Sequence, residues 1–445
     1  MLYPVSMTPA QDDELFLALA GGAKALVPAD LRVLSSYVFL EQEDWFEAEA
    51  GFARRLAGHV RAALDVGANF GFYASTLAAG GASVLAFEPH PALARKLRRA
   101  FAGGRARVVE SACGSESGTM RFGGHAHVEG SRRAADGAFT VPVGRLDDLV
   151  SRDFAATLDF VKIDVEGGEV AAIAGAAASL RAAEPLVMVE IKDGPDYDFA
   201  ALDALAALGF ARYRLLPGPN LLIPMGPGAD SANQINAFAA TPARAESLAK
   251  AGLLCAPMSD DALDDPYALW DRHRDPRRDA GARAGDLLRC FDAFARMRET
   301  APGLAADLGF ARLAKETGRD LLGALALRRH LDASIAPPSG RFLWPLARYE
   351  TRGNVDPERA LRACLSEAYH AFLAPSSLFA DPTGREAALS LALESGVAAP
   401  ETVRRLYLHR LATGRKADSA PHALVARPGP DNLNPEFWRR PSLYG

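Results

Sequence analysis

The chain has 445 residues, of which 49% are hydrophobic and 24% charged, and its formal net charge is −5 at pH 7. This composition excludes a disordered or fibrous protein, and the length predicts two or three domains. The small negative charge argues against a dedicated nucleic-acid-binding protein. Cys113, Cys255, Cys290 and Cys364 lie far apart in the sequence, so we expect neither a zinc site nor a disulfide framework.

Membrane and targeting signals are weak. No apolar run reaches the roughly 18 to 20 residues of a membrane span. The first 22 residues carry no basic start and place three acids before a short apolar stretch, which is not the pattern of a secretory signal. We therefore expect a cytoplasmic protein without a membrane span.

Strand and helix patterns alternate through the first half of the chain. Short apolar runs at 62–66, 83–88, 105–112, 159–165 and 186–191 read as strands, most of them followed by helical patterns. Runs 211–216 and 220–224 flank the turn PGPN and predict a hairpin. Two further strands, GTMRF and AFTVPVG, flank a Gly-rich loop at 123–137. This order predicts an α/β fold with a mostly parallel sheet and helices on both faces.

The second half of the chain is dominated by helical patterns. We predict helices at 285–299, 303–316, 319–332, 356–373, 384–396 and 400–413. The segment 225–234 has the composition of a linker. We therefore predict one domain at 1–235, with a helical lead-in, and an all-α domain at 236–445 for acceptor recognition or protein interaction. The aromatic tail at 432–445 is expected to dock back onto the protein.

A cofactor loop is predicted between the first strand of the sheet and its helix. In DVGANFGFY, Gly67 and Gly71 permit tight turns and the close approach of a ligand. Glu88 ends the next strand, where an acid can accept hydrogen bonds from two ribose hydroxyls. Asp65 would repel a pyrophosphate but suits the sulfonium and amino group of S-adenosylmethionine. Asn69 also departs from the dinucleotide pattern, so the loop favours a methyl donor over NAD.

Acidic side chains mark a second site at the end of the strand VKIDVEGGE. By alternation, Lys162, Asp164 and Glu166 share one side of this strand. A hydroxyl group is a poor nucleophile near neutral pH, so methyl transfer to oxygen calls for a base. We predict Asp164 and Glu166 as the catalytic carboxylates and Lys162 as the residue that orients them. An alternative makes Asp164 and Glu190 ligands of Mg²⁺.

Histidines offer weaker alternatives. His90 follows Glu88 closely and is a second-choice base, while a loop histidine near the adenosine is the simpler reading. His125 and His127 form an H-x-H pair in the polar loop, but no further ligand is in register with them, so we expect exposed loop residues rather than a metal site.

Six motifs occur in order along residues 60–225: DVGANFG, AFEPHP, ACG, RLDDL, VKIDVEGGE and PLVMVEI. Together they resemble the FkbM-type S-adenosylmethionine-dependent methyltransferases. The resemblance implies a class I, Rossmann-like methyltransferase domain with a seven-stranded sheet and a reversed last strand. It also implies methyl transfer to a hydroxyl of a sugar, glycan or polyketide-like acceptor.

The same resemblance carries cofactor roles over to matching positions. The residues that would hold S-adenosylmethionine are Asp65, Gly67, Asn69, Gly71, Phe72, Glu88, Pro89, Ala112 and Cys113. Asp65, Gly67, Asn69 and Gly71 would line the methionine part, Glu88 would take the ribose, and Ala112 and Cys113 would lie near the adenine. A non-catalytic scaffold on the same fold is the competing interpretation; the retained acids argue against it.

Overall fold

The computed structural model describes residues 14–29, 33–123, 132–133, 139–193, 196–226, 235–258 and 262–319, together with 322–323, 326, 408 and 433–434. The chain starts with an antiparallel hairpin of β1 (Glu14–Ala18) and β2 (Lys24–Pro28), followed by α1 (Leu34–Gln42) and α2 (Glu49–Ala57). Within the described residues, no helix combines the length and the apolar character that crossing a membrane requires.

The remaining elements follow in chain order. The strands are β3 (Ala62–Val66), β4 (Ser83–Phe87), β5 (Ala106–Val109), β6 (Ala112–Cys113), β7 (Gly118–Gly123), β8 (Arg132–Arg133), β9 (Phe139–Gly144), β10 (Leu158–Ile163), β11 (Leu186–Glu190), β12 (Lys192–Asp193), β13 (Asp196–Tyr197), β14 (Ala211–Leu216), β15 (Leu221–Pro224) and β16 (Asn236–Ala240). The helices are α3 (Phe72–Ala79), α4 (Pro91–Ala100), α5 (Leu146–Leu149), α6 (Arg152–Ala155), α7 (Glu169–Gly175), α8 (Ala177–Ala183), α9 (Ala200–Ala206), α10 (Pro242–Lys250), α11 (Pro266–Arg274), α12 (Ala280–Thr300) and α13 (Leu304–Glu316).

An eight-stranded sheet forms the centre of the fold, in the order β15-β14-β16-β11-β10-β3-β4-β5. The five strands from β11 to β5 are parallel, which confirms the predicted α/β class. The carboxyl ends of these strands meet at one edge, where ligands bind in folds of this kind. The sheet has one strand more than the seven expected, and the strand that was not predicted from the sequence is β16.

Two strands run opposite to the others: β15, which is antiparallel to β14, and β16, which lies between β11 and β14 and is antiparallel to both. All five residues of β16 are buried. The predicted boundary near residue 235 falls directly before this strand, because the preceding segment has the composition of a linker. We propose instead that the first domain extends at least to Ala240.

Hydrophobic cores cover both faces of the sheet. One core joins the sheet to α2, α3, α4 and α10, with Phe52, Leu77 and Phe238 buried in it. The other joins it to α5, α7, α8 and α9, with Ile173 and Leu202 at its centre. Strands buried on both faces explain why their sequences are continuous apolar runs rather than alternating ones.

Helices α11, α12 and α13 pack against the β14–β15 hairpin. Leu216, Leu221 and Ile223 share a core there with Leu287 and Phe294. The predicted helices at 285–299 and 303–316 are confirmed by α12 and α13. The predicted helices from 319 onward lie largely or wholly outside the described residues.

A small second sheet has the order β6-β9-β7-β8. Its β7 and β9 are the two extra strands predicted around the Gly-rich loop, and they pair antiparallel. Residues 124–131 and 134–138 of that loop, which include His125 and His127, lie outside the described residues.

The chain returns to the N-terminal hairpin at Leu433 and Asn434. The Asn434 side chain accepts a hydrogen bond from the Ala18 amide (2.8 Å) and donates one to the Ala18 carbonyl (2.9 Å). The Leu433 backbone N–H donates to Glu43 Oε1 (2.7 Å). Glu43 is buried at the end of α1, in a left-handed conformation with φ 53°. Docking is thus present at these two residues, and the aromatic residues after them lie outside the described part of the chain.

Replacing Asn434 by alanine should destabilise the protein by about 1–3 kcal/mol, because both Ala18 groups lose their partner. Thermal unfolding measures the effect. Leu433→Ala is the matched control, since its backbone N–H is retained and its side chain is 39% exposed. Equal melting temperatures for wild type and Asn434→Ala would show that this contact contributes nothing.

Candidate functional site

The loop between β3 and α3 lies very close to the end of β10. Gly67 has φ 81°, and a Cβ at this position would lie 1.8 Å from the Asp164 carbonyl oxygen. The N–H groups of Gly67 and Ala68 both donate to the Phe87 carbonyl at 3.0 Å. Only glycine satisfies both the backbone conformation and the space. The backbone of this loop therefore packs directly against the acidic turn after β10.

Glu88 connects this loop to the end of β4. Its Oε2 accepts the Asn69 amide and its Oε1 accepts the His90 amide, each at 2.8 Å. The residue is 5% exposed, and burial raises the pKa of its carboxyl to about 7, although the two hydrogen bonds oppose that shift. A carboxylate has about four acceptor positions, so two stay available to a ligand.

A cavity opens beside Glu88 at the carboxyl edge of the sheet. Its lining includes eight of the predicted site residues: Gly67, Asn69, Glu88, Pro89, Ala112, Cys113, Asp164 and Glu166. Ser111, Met120 and Phe122 also line it and were not predicted. Phe122 and Met120 come from the small second sheet, so that sheet forms one wall of the cavity.

Three predicted binding residues lie behind the loop rather than along the cavity. Asp65 is 1% exposed, and its Oδ2 accepts the Ala74 amide (2.9 Å) in the first turn of α3. A Cβ on Gly71 would lie 2.5 Å from Leu97, so this glycine permits α4 to pack against the loop. Phe72 stacks on Phe39 in the core. Gly71 and Phe72 therefore have packing roles.

Asp65 also keeps an unusual environment. Burial raises the pKa of its carboxyl to about 6, while the positive charge of Lys162 opposes the shift. Its Oδ1 is buried and has no hydrogen-bond partner among the described residues; the same holds for Asn69 Oδ1. Buried oxygen atoms of this kind normally have a partner, so these two point to a missing donor.

Lys162 and Asp164 form a close ion pair at the end of β10, with 2.8 Å between Nζ and Oδ2. Lys162 is 4% exposed, and its Nζ lies 5.2 Å from the centre of the Tyr73 ring. Burial lowers the pKa of Lys162, but Asp164, Asp65 and Glu47 together more than offset this and raise it. The lysine is therefore positively charged at neutral pH.

Glu166 does not share the position of Asp164. Strand β10 ends at Ile163, and Glu166 lies in the turn that follows, exposed and with φ 54°. The predicted alternation therefore stops before it. Glu169 Oε1 accepts the amides of Val165 (3.0 Å) and Gly167 (3.2 Å), which fixes the shape of this turn.

Glu190, at the end of β11, is the carboxyl that meets Asp164. Burial and the negative charges of Asp164, Glu166 and Glu169 raise its pKa to about 9, and its side chain hydrogen-bonds with Asp164. Two carboxyl groups in contact share a proton, since both cannot ionise cheaply. No group of three metal-ligating side chains that could hold an ion is found in the part of the chain that is described, so the Mg²⁺ alternative has no support there.

His90 has a structural role at the start of α4. Its Nδ1 accepts the Ala92 amide (3.2 Å), and its ring meets Phe139 edge to face. Burial lowers the pKa of its imidazole, so the ring is neutral near pH 7. Cys113 is also buried, which raises the pKa of its thiol. The Cys113 thiol is therefore not prepared for nucleophilic attack.

Three residues near Lys162 were not predicted from the sequence: Glu47, Tyr73 and Asn236. Hydrogen bonds join them to one another, and the Tyr73 ring contacts Lys162. Glu47 precedes α2, and its Oε2 accepts hydrogen bonds from the Tyr73 hydroxyl and from Asn236 Nδ2 (3.2 Å). Glu47 and Asn236 lie outside the motifs. Tyr73 ends the cofactor-loop motif, but its aromatic character alone gave no signal of a polar contact.

Gly67→Ala should destabilise the protein by roughly 3 kcal/mol or more, because the new Cβ meets the backbone of Asp164 and the residue keeps a positive φ. Gly81→Ala is the control: its φ is 104°, yet nothing lies within 4 Å of a Cβ there. Thermal unfolding of both variants separates backbone strain from the clash. Similar melting temperatures in the two variants would show that the clash relaxes at little cost.

Comparison with known proteins agrees with the motifs. Residues 65–215 match the family model of the methyltransferase FkbM domain. Among solved structures, the chain is similar to methyltransferase FkbM from Methylobacillus flagellatus KT, with 17% identity over 41% of this chain and 43% of that chain and a TM-score of 0.29. It is also similar to a TehB-like SAM-dependent methyltransferase from Corynebacterium glutamicum ATCC 13032 Kitasato, with 16% identity over 42% of this chain and 85% of that chain and a TM-score of 0.25.

The similarity covers only part of each molecule. The chain spans less than half the length of the FkbM structure it matches. No curated protein gives a match. The resemblance derived from the six motifs is nevertheless confirmed where the family model applies, because residues 65–215 match the model of the methyltransferase FkbM domain.

Proposed function

We propose that the protein transfers a methyl group from S-adenosylmethionine to a hydroxyl of a small-molecule acceptor such as a sugar, glycan or polyketide-like product. One observation carries the proposal. Asp164, which pairs with Lys162 and Glu190, lines the same cavity as Glu88. The cavity is therefore lined both by Glu88, a carboxylate placed to hold a ribose, and by Asp164, a member of the proposed acid–base group.

The residues around the cavity suit this cofactor. Glu88 has acceptor positions for the ribose hydroxyls, and Gly67 allows the backbone to approach a ligand closely. The unpartnered Oδ1 of Asn69, which lines the cavity, suits an N–H donor such as the ammonium of a methionine group. When bound, S-adenosylmethionine supplies a methyl group made electrophilic by its sulfonium.

Asp164 is the base in this proposal. The hydroxyl of an aliphatic acceptor has a pKa close to that of water, about 15.7. Its proton must leave as the new C–O bond forms, and a positioned base contributes on the order of 10²- to 10⁴-fold. Lys162 holds one oxygen of Asp164 at 2.8 Å, while Glu190 hydrogen-bonds to the same group.

The catalytic roles predicted for Lys162 and Glu166 change in this proposal. Lys162 orients Asp164 and does not line the cavity. Glu166 lines the cavity from an exposed turn, which suits a contact with the acceptor rather than proton transfer. The helical part after Ala240 packs on the β14–β15 hairpin, and we keep acceptor recognition or protein binding as its proposed role.

Methyl transfer itself is tested with methyl-labelled S-adenosylmethionine and a fractionated metabolite extract. We expect the wild type to produce a labelled compound with a mass gain of one methyl group. Asp164→Asn is the inactive control. If no fraction gains label although the protein binds S-adenosylhomocysteine, the enzymatic proposal fails and a binding scaffold takes its place.

Glu88→Ala should weaken S-adenosylhomocysteine binding by about 1.5–3 kcal/mol, the range for hydrogen bonds to a charged group, or roughly 10- to 150-fold in Kd. In the wild type, affinity should rise as the pH rises through about 7, because the carboxylate that accepts the ribose hydroxyls then loses its proton. Above that pH it should level off. Calorimetry measures both, with Met120→Leu as a cavity-lining control. An unchanged Kd in Glu88→Ala removes Glu88 from the site.

Asp164→Asn should lower the single-turnover rate by on the order of 10²-fold or more, and Glu166→Gln by much less. The difference follows from their positions, since Asp164 is held by Lys162 and Glu190 and Glu166 is in an exposed turn. Rapid-quench measurements with the labelled donor give these rates. A larger loss in Glu166→Gln would reverse the assignment.

A further inference from the structure

A carboxylate outside the FkbM domain lies at the inner end of the proposed site. Glu47 belongs to the loop between α1 and α2, and residues 65–215 do not include it. The start of this loop is fixed by a bidentate ion pair between Asp44 and Arg54, with distances of 2.6 and 2.9 Å. Trp45, packed on Phe39 and Phe72, holds the middle of the loop against the core. The position of Glu47 is therefore well determined.

The Glu47 carboxyl group accepts hydrogen bonds from three side chains. The Tyr73 hydroxyl and Asn236 Nδ2 donate to its Oε2, and the Trp45 side chain also hydrogen-bonds to it. These donors come from α3, β16 and the loop itself. A carboxylate with this many fixed partners has one orientation, and it fixes its partners in turn.

The contacts continue from Tyr73 into the acid–base group. Lys162 Nζ lies 5.2 Å from the centre of the Tyr73 ring, within the range of a cation–π interaction. Glu47 and Lys162 also attract each other electrostatically. Because Lys162 then holds Asp164 at 2.8 Å, Glu47 is connected to the proposed base through two side chains.

We propose that Glu47 is a positioning residue for the proposed methyl transfer, which orients Tyr73 and Lys162 so that Asp164 faces the acceptor hydroxyl. This inference rests on the proposed function, because it concerns the base of that reaction. Glu47 itself does not line the cavity, and its contact with the cofactor-loop motif is through Tyr73, which does not line the cavity either. Its effect should therefore appear in the rate of the chemical step and not in cofactor affinity.

The test compares Glu47→Gln, Tyr73→Phe and the double variant in the full chain. Glu47→Gln removes the carboxyl group at nearly constant shape, and Tyr73→Phe removes the hydroxyl. Each should lower the single-turnover rate on the order of 10- to 100-fold, the cost of a small misplacement of a reacting group. The Kd for S-adenosylhomocysteine should stay within about threefold. The double variant should be little slower than either single variant, since both act through one connection.

Glu49→Gln is the matched control. This residue is a buried glutamate of the same region, and its side chain hydrogen-bonds with Asn236 rather than with Tyr73. Burial and the charge of Glu47 raise its pKa to about 8, so it is already neutral at pH 7 and glutamine resembles it. Its rate should match that of the wild type.

Three outcomes overturn the inference. They are a wild-type rate in Glu47→Gln, an equal loss in Glu49→Gln, or a weakened Kd in step with the rate. Thermal unfolding of each variant accompanies the kinetics, and Glu47→Asp, which keeps the carboxyl group, should recover part of the rate if Glu47→Gln folds poorly. Absence of methyl transfer in the wild type is a different result, because it contradicts the proposed function and not the role of Glu47 within it.

Discussion

The approach of the β3–α3 loop to the end of β10 is the constraint on which the site depends. The Asp164 amide donates to the Val66 carbonyl at 3.0 Å, and the Gly67 α-carbon faces the Asp164 carbonyl with no room for a side chain. The turn that carries the proposed base is therefore held by the same backbone that forms the cofactor loop. A shift of the loop would move the turn as well. The proposed cofactor site and the proposed base therefore keep a fixed position relative to each other.

Several ionisable side chains lie close together beside this backbone contact. Lys162 is buried and interacts with Asp164, Asp65 and Glu47, while Glu190 carries a raised pKa beside Asp164. Burying several acids around one lysine costs solvation free energy, and a fold would not keep such a group for stability alone. A ligand with a positive centre relieves that cost. The arrangement fits a site whose balance of charge is completed by what it binds.

The local parts of the site could be predicted from the sequence, because they depend on chain-adjacent geometry. Gly67, Asn69 and Glu88 follow from a strand, a turn and the next strand, and all three line the cavity. Asp65, Gly71 and Phe72 belong to the same motif but face inward, since a motif does not show which side of a loop its members occupy. Glu166 was paired with Asp164 by strand alternation, and the strand ends too early for that.

Contacts distant in sequence could not be predicted. Glu47 reaches Tyr73 from an irregular loop that has no periodicity to reveal its direction. Strand β16 was placed outside the first domain because a linker-like segment precedes it, and only its pairing partners show that it belongs inside. Both cases concern long-range contacts, whose partners are fixed by the packing of the whole sheet rather than by nearby residues.

The position of β16 has a consequence for synthesis of the chain. This strand is made after β14 and β15 but separates them from β11 in the sheet. During translation, the hairpin cannot join the sheet until residues 236–240 have left the ribosome, although all the motif residues are made earlier. Asn236, which bonds Glu47 and lies opposite Glu190, arrives at that same moment. The contact between Asn236 and Glu47 can therefore form only after all the motif residues have been made.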